Sequence, residues 1–144
     1  MTTAQDVFEA SMALMDELNE ANGAADTADT KEYKNRTLPI LNILIGEVYP
    51  YSDTYKSRNA SKRPIVTAIS DFDSSIGLDD YICRSVLPYG LAAHLLIEEN
   101  PSAASFFQQR YDELKAMLRL GFPAEFEPIE DIYGGLGCGD FARW

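Results

Sequence analysis

Two apolar patterns at helical spacing fill the second half of the chain and indicate that it folds as packed helices. The first runs through residues 78–96 and the second through residues 103–118. Between them, Asn100 followed by Pro101 predicts the end of one helix and the first position of the next. The stripes consist of Leu78, Ile82, Val86, Tyr89, Ala93 and Leu96, and then of Ala103, Phe107, Tyr111, Leu114 and Leu118.

Pro88 and Gly90 lie in the middle of the third predicted helix. They cost about 3 kcal/mol and about 1 kcal/mol of intrinsic helix propensity. Burial of a large apolar side chain contributes about 1.5–3 kcal/mol, and this helix offers more than six such residues, so packing can compensate. We expect a bent, buried helix whose Gly-Leu-Ala-Ala run lets another helix approach closely.

The first half of the chain predicts two more helices. Thr2 or Thr3 can cap the first, which the apolar spacing carries as far as Gly23. The second runs to about Tyr49, and Pro39 within it predicts either a kink near Arg36 or a fresh start at Leu38. The candidate caps of the second helix are Thr27, Asp29 and Thr30, and its predicted inner face consists of Tyr33, Thr37, Leu41, Leu44 and Val48.

Two segments lack helical periodicity. Residues 50–76 predict a long loop with a short β element in the run PIVTAIS, and residues 123–144 predict an extended C-terminal arm. Residues 1–122 then form one helical domain, because 144 residues suit a single core. The predicted fold class is mostly α, with about four helices in a bundle-like core.

Composition narrows the classes of partner. With 12 basic and 23 acidic residues the net charge is −11, which disfavours sequence-specific binding of nucleic acid. The chain shows no signal peptide and no run of eighteen apolar residues, so we expect no membrane partner. Cys83 and Cys138 lack metal-ligand spacing and predict free thiols in a reducing compartment.

The charges are unevenly distributed along the chain. Seven acidic residues precede the first base, Lys31, and seven of the twelve bases lie between Lys31 and Arg63. One interpretation is that these charged residues simply lie on solvated faces. The other is that the basic loop of one copy contacts the acidic first helix or the acidic tail of another copy. Head-to-tail contacts of this kind can close into rings. The predicted partner-binding residues of the loop are Tyr55, Lys56, Arg58, Lys62 and Arg63.

No catalytic or metal-binding motif is complete. His94 is the only histidine, Cys83 lies among apolar residues, and the glycine-rich run at 134–140 lacks the lysine and hydroxyl residue of a phosphate-binding loop. We therefore predict no catalytic residue, no metal and no cofactor, and a structural or surface role for His94.

Acidic residues on the predicted helices could in principle bind magnesium, as glutamates on two helices do in small all-helical nucleotide pyrophosphohydrolases. The adjacent pairs at 98–99 and 112–113 point about 100° apart on a helix instead of converging. Such enzymes need glutamates in an E-x-x-E type of spacing, and Asp16, Glu17 and Glu20 of the first helix come closest to it. A magnesium-dependent hydrolase of this class is the enzymatic alternative.

One family resemblance is carried by residues 74–119, SSIGLDDYICRSVLPYGLAAHLLIEENPSAASFFQQRYDELKAMLR. This stretch resembles the helical hairpin of head-tail connector proteins, also called adaptor or head-completion proteins, of tailed bacteriophages and prophages. The run IEDIYGG at 129–135 is similar to the ending of prophage members.

The resemblance implies a structural virion protein at the head-tail junction, assembled in the bacterial host cytoplasm. Such proteins form rings, commonly of twelve subunits, and contact the portal protein above and the tail-completion protein below through loops and tails. For this chain it implies partner contacts by Ile129, Glu130, Asp131 and Tyr133 in the arm. An accessory interaction protein of a mobile element is a further alternative.

Overall fold

The structure is a computed structural model that describes residues 1–54 and 66–120. Within these ranges the protein is mostly helical and contains no strand, only an isolated antiparallel bridge between Thr3 and Ser75. A short 3-10 turn, Tyr49–Tyr51, follows the second helix. The α-helices are α1 (Ala4–Leu14), α2 (Lys31–Val48), α3 (Asp80–Ser85), α4 (Leu87–Leu96) and α5 (Pro101–Leu120).

Helix α1 begins where the sequence predicts, at a capping box. The Thr3 hydroxyl accepts from the Asp6 backbone N–H at 3.2 Å, and the Asp6 carboxylate accepts from the Thr3 N–H at 2.8 Å. The helix ends at Leu14, so the predicted end at Gly23 was wrong. Asp16 has a φ of 59°, and a residue in this left-handed conformation cannot continue a right-handed helix.

Helix α2 is one continuous helix through Pro39, so the predicted fresh start at Leu38 was wrong. Thr30 is its N-cap residue. All five residues of the predicted inner face are buried, which confirms the helical period.

The third predicted helix is two helices. The backbone breaks at Val86 (φ −108°, ψ −53°), and Pro88 then lies in the first turn of α4. Proline is tolerated there because the first N–H groups of a helix have no partner within the helix. The Pro88 carbonyl accepts the Ser11 hydroxyl of α1 at 3.2 Å. The prediction of one bent helix was therefore wrong: the chain divides into two helices at Val86, and Pro88 lies just inside the second.

Helix α4 lies at the centre of a bundle-like core, packed against α1, α2, α3 and α5. Eight of its ten residues are buried, as expected for a helix that is apolar on every side. A Cβ added at Gly90 would lie 3.0 Å from the Tyr111 ring of α5 and 3.2 Å from Leu44 of α2. The close helix approach predicted from the glycine is therefore present.

Candidate interaction surfaces

The first candidate surface is an acidic cleft in the loop that joins α1 to α2. The cleft has a volume of about 360 Å³, and its charged lining residues are Asp16, Glu17, Glu20 and Asp29. Leu18 and Thr27 also line it. We call this cleft the acidic surface.

Local hydrogen bonds hold this loop in place. The Asn19 N–H donates to the Ala24 carbonyl at 2.9 Å, and the Asn19 carbonyl accepts from the Gly23 N–H at 2.7 Å. Gly23 has a φ of 69°, which favours glycine. The Thr30 hydroxyl donates to the Ala25 carbonyl at 2.7 Å, which fixes the loop to the start of α2.

Lys34, in the first turn of α2, does not pair with the acids of the acidic surface. Lys34 pairs with Asp26, and its ammonium group lies 5.0 Å from the centre of the Phe72 ring and 6.0 Å from that of Phe8. Within residues 1–54 and 66–120, the four acids of the cleft form no ion pair with lysine or arginine.

The second candidate surface is the root of the basic loop. The Asn42 side chain makes two hydrogen bonds to the backbone of Ile69, at 2.8 Å and 3.0 Å. The Thr54 hydroxyl donates to the Gly77 carbonyl at 3.2 Å. A cavity of about 350 Å³ at this root is lined by Ile45, Tyr49, Thr54, residues 66–70, Ser74, Ser75, Gly77 and Leu78.

The predicted partner-binding residues lie outside the described residues. This holds for the loop positions, all within 55–63, and for the arm positions, all within 129–133. The structure does place both ends of the loop near the C-terminal half of α2, through Asn42, Ile45 and Tyr49. The acidic surface adjoins the other end of the same helix, which spans 18 residues or about 27 Å.

Cys83 is a buried core residue. Its Sγ lies 3.8 Å from the Leu78 carbonyl oxygen, and burial raises the pKa of the thiol to about 12. A thiol with a raised pKa carries little of the thiolate that acts as a nucleophile. The structure therefore agrees with the structural role predicted for Cys83.

His94 lies on α4 and is half-buried at the edge of a shallow groove between α4 and α5. Its backbone carbonyl accepts from the Arg36 guanidinium at 3.2 Å. In the described part of the chain, no cluster of three or more His, Cys, Asp or Glu side chains is arranged to hold a metal ion.

Two glutamates tie helices together. Glu99, after α4, accepts the Tyr33 hydroxyl of α2. Glu47 of α2 accepts the Tyr111 hydroxyl at 3.0 Å and pairs with Lys115 at 3.4 Å. Burial and the neighbouring carboxylate raise the pKa of Tyr111, so the phenol stays protonated and keeps donating.

The third candidate surface is a row on α5 that the sequence analysis missed. Three of its apolar side chains are largely exposed: Phe106 by 62%, Met117 by 58% and Leu120 by 86%. The signal was a second set of positions spaced three and four apart on the same helix as the buried stripe. We call this row the outer stripe of α5; it comprises Ala103, Phe106, Arg110, Glu113, Met117 and Leu120.

Comparison with protein families, curated proteins and solved structures finds no match to this chain. None of the helices in residues 1–54 and 66–120 is long and apolar enough to cross a membrane.

Proposed function

We propose that this chain is a structural protein of a tailed phage or prophage, which joins the capsid portal to the tail by forming a ring. The observation that supports the proposal is that the acidic surface and the root of the basic loop lie near opposite ends of α2. The acidic surface adjoins the N-terminal end, and the basic loop is rooted towards the C-terminal end.

A molecule with this polarity favours head-to-tail contact with its own copies. The acidic surface of one subunit attracts the basic loop of the next, and such complementary potentials orient two proteins as they approach. Because the two surfaces differ, the contact is heterologous, and repetition of it generates a ring when the rotation closes. Neither end requires a bound metal or a catalytic group.

The portal and the tail-completion protein enter the proposal through the family resemblance of residues 74–119. The C-terminal arm, with Ile129 to Asp131 and Tyr133, contacts a neighbour or one of these partners. The short β element of PIVTAIS also belongs to the proposal. Asn42 already bonds both backbone groups of Ile69, and we propose that the edge of another chain pairs with the backbone of the remaining residues.

The test is light scattering of the full chain, alone and mixed with the portal protein of the same phage. We expect a mass several times that of the 16.0 kDa monomer in the presence of the portal. Replacing the four acids of the acidic surface by amides (D16N, E17Q, E20Q and D29N) changes the net charge from −11 to −7, since four negative charges are lost. We expect this variant to remain small.

A matched control removes four negative charges elsewhere, through E9Q, D73N, E98Q and D112N, and also has a net charge of −7. It should assemble as the original chain does. A chain that stays monomeric at high concentration with the portal contradicts the proposal, and so does equal assembly by the two variants.

A further inference from the structure

The outer stripe of α5 has the spacing of a coiled-coil seam. Successive members, from Ala103 to Leu120, lie three, four, three, four and three residues apart. This alternation is the a and d pattern of a heptad repeat. The stripe is rotated by roughly a third of a turn from the buried residues Phe107, Tyr111 and Leu114, which face the core. Helix α5 therefore presents a second seam beside the one that faces its own core, and the half-buried Ala103 at its N-terminal end also packs against the apolar cluster of α4 and α5.

The order of side chains along this seam is self-complementary. Read from either end, it gives two apolar residues, then two charged residues of opposite sign, then two apolar residues. An antiparallel partner whose twofold axis passes between Tyr111 and Asp112 places Phe106 opposite Met117 and Arg110 opposite Glu113. The same register places Leu120 opposite Ala103, which is half-buried, so the four inner layers carry the contact and the two outer layers add less.

We propose that the outer stripe of α5 is a docking surface for a second copy of this chain, paired antiparallel about that axis. Charge complementarity selects both the partner and the direction. Within one subunit Arg110 and Glu113 already pair at 3.2 Å, and both side chains are about half exposed. In the antiparallel pair each charge gains an opposite charge from the other copy. A parallel pair would instead place Arg110 against Arg110, which is repulsive.

This contact differs from the ring contact proposed above. It is isologous, because the same stripe is used by both copies, and it closes at two subunits. It involves neither the acidic surface nor the basic loop. With one helix from each copy, it buries less than the roughly 1,600 Å² of a standard stable interface, so the pair dissociates on dilution.

The experiment is sedimentation equilibrium of the full chain over a wide concentration range, without any portal. The wild-type chain should form a dimer at high concentration. Arg110→Glu places two like charges at each central layer, and Glu113→Arg does the same with the opposite sign. Each variant alone should dimerise about tenfold more weakly or worse.

The charge variants also test the register. An equimolar mixture of R110E and E113R puts Glu opposite Arg at both central layers, and the mixture should form heterodimers. The double variant R110E/E113R should dimerise as the original chain does. Both substitutions are on exposed side chains, and circular dichroism confirms that each variant is folded.

An apolar pair of variants provides the second readout. Met117→Ala should weaken the dimer by about tenfold, since the seam loses one of its large contacts in two symmetric layers. Ile43→Ala is the matched control, because Ile43 is exposed by 63% on α2 and is not part of the stripe. It should leave dimerisation unchanged.

A wild-type chain that stays monomeric at all concentrations overturns the proposal. A dimer that M117A leaves intact, or a mixture of R110E and E113R that does not pair, also overturns it. Since the portal and the acidic surface play no part in these measurements, the result is independent of the ring proposal.

Discussion

At the scale of single residues, Gly90 decides how closely three helices approach. Its missing side chain leaves room for the Tyr111 ring, which the hydrogen bond to Glu47 holds in position. Gly46, on the exposed face of α2, has no atom within 4 Å of the position of an added Cβ. The two glycines therefore respond in opposite ways to the same substitution.

Gly90→Ala is expected to lower the free energy of unfolding by about 1–3 kcal/mol, because overpacking forces Tyr111 or Leu44 to shift. Gly46→Ala is expected to raise it by about 0.5–1 kcal/mol through helix propensity. Urea denaturation of both variants measures the two changes. If the Gly90→Ala variant is as stable as the Gly46→Ala variant, then Tyr111 and Leu44 can move aside without lowering the free energy of unfolding, and the prediction is wrong.

Asp80 gives the stability a dependence on pH. Hydrogen bonds from the Thr2 hydroxyl (2.8 Å) and the Thr2 backbone N–H (3.0 Å) lower the pKa of Asp80 below its usual 3.8. A group with a lowered pKa in the folded state stabilises the fold above its unfolded pKa, and this contribution is lost as the pH falls through the folded value.

Asp80→Asn is therefore expected to reduce the free energy of unfolding at pH 7 and to make its decline below pH 4 shallower. Asp6 and Asp71 also have lowered pKa values, so part of the decline remains. Urea denaturation at a series of pH values measures the slope. Asp73→Asn is the control and should leave the slope as it is, because no hydrogen bond to the Asp73 side chain is present among the described residues, whereas Asp80 accepts two from Thr2. An unchanged slope in Asp80→Asn would contradict this account.

At the scale of elements, the existence of the helices and the starts of α1 and α5 followed from local pattern, whereas the end of α1 and the break between α3 and α4 did not. The stripe from Tyr33 to Val48 predicted the buried face of α2 because the period of a helix is a property of consecutive residues. The end of α1 could not be predicted this way. Asp16 leaves the helix because Asn19 and its neighbours bond among themselves, and such local bonds compete with helical ones.

Pro39 supplies a prediction for α2. Proline inside a helix removes one backbone hydrogen bond and crowds the preceding turn, at a cost of about 3 kcal/mol or more. Pro39 is exposed, so its ring gains little from packing. Pro39→Ala is expected to raise the free energy of unfolding by about 1–2 kcal/mol.

Thermal and urea denaturation of Pro39→Ala measure this gain. Pro88→Ala is a suitable comparison, because Pro88 lies in the first turn of α4, where its missing N–H costs no bond. It should give no comparable gain. A loss of stability in Pro39→Ala would mean that the core requires the helix geometry that proline imposes.

At the scale of the whole molecule, the proposed ring contact depends on how charge is distributed as well as on its sum. A net charge of −11 makes copies repel at a distance, whereas in our proposal the acidic surface of one copy attracts the basic loop of the next at contact. Dissolved salt screens both the repulsion and the attraction. The two quadruple variants described above separate these effects, because both have a net charge of −7 and they differ only in which four acids are replaced.

Assembly with the portal is expected to weaken about tenfold in the control variant as salt rises from 50 to 500 mM, since ions screen the contact between opposite charges. The variant without the acidic surface should show little dependence on salt. Light scattering at each salt concentration checks both expectations. Stronger assembly of the control variant at high salt would show that net repulsion outweighs the proposed contact.

From the amino-acid sequence alone came the buried face of α2, the start of α1 at Thr3 and the close helix approach at Gly90. These are local properties, fixed by helical period, capping and the absence of a Cβ. Packing between helices set the separation of α3 from α4 at Val86, and it left Phe106, Met117 and Leu120 of the outer stripe exposed in the described part of the chain. The same packing places the acidic surface and the root of the basic loop near opposite ends of α2. The reason is physical: a period says which face of a helix is apolar, but neighbours decide which apolar faces are buried.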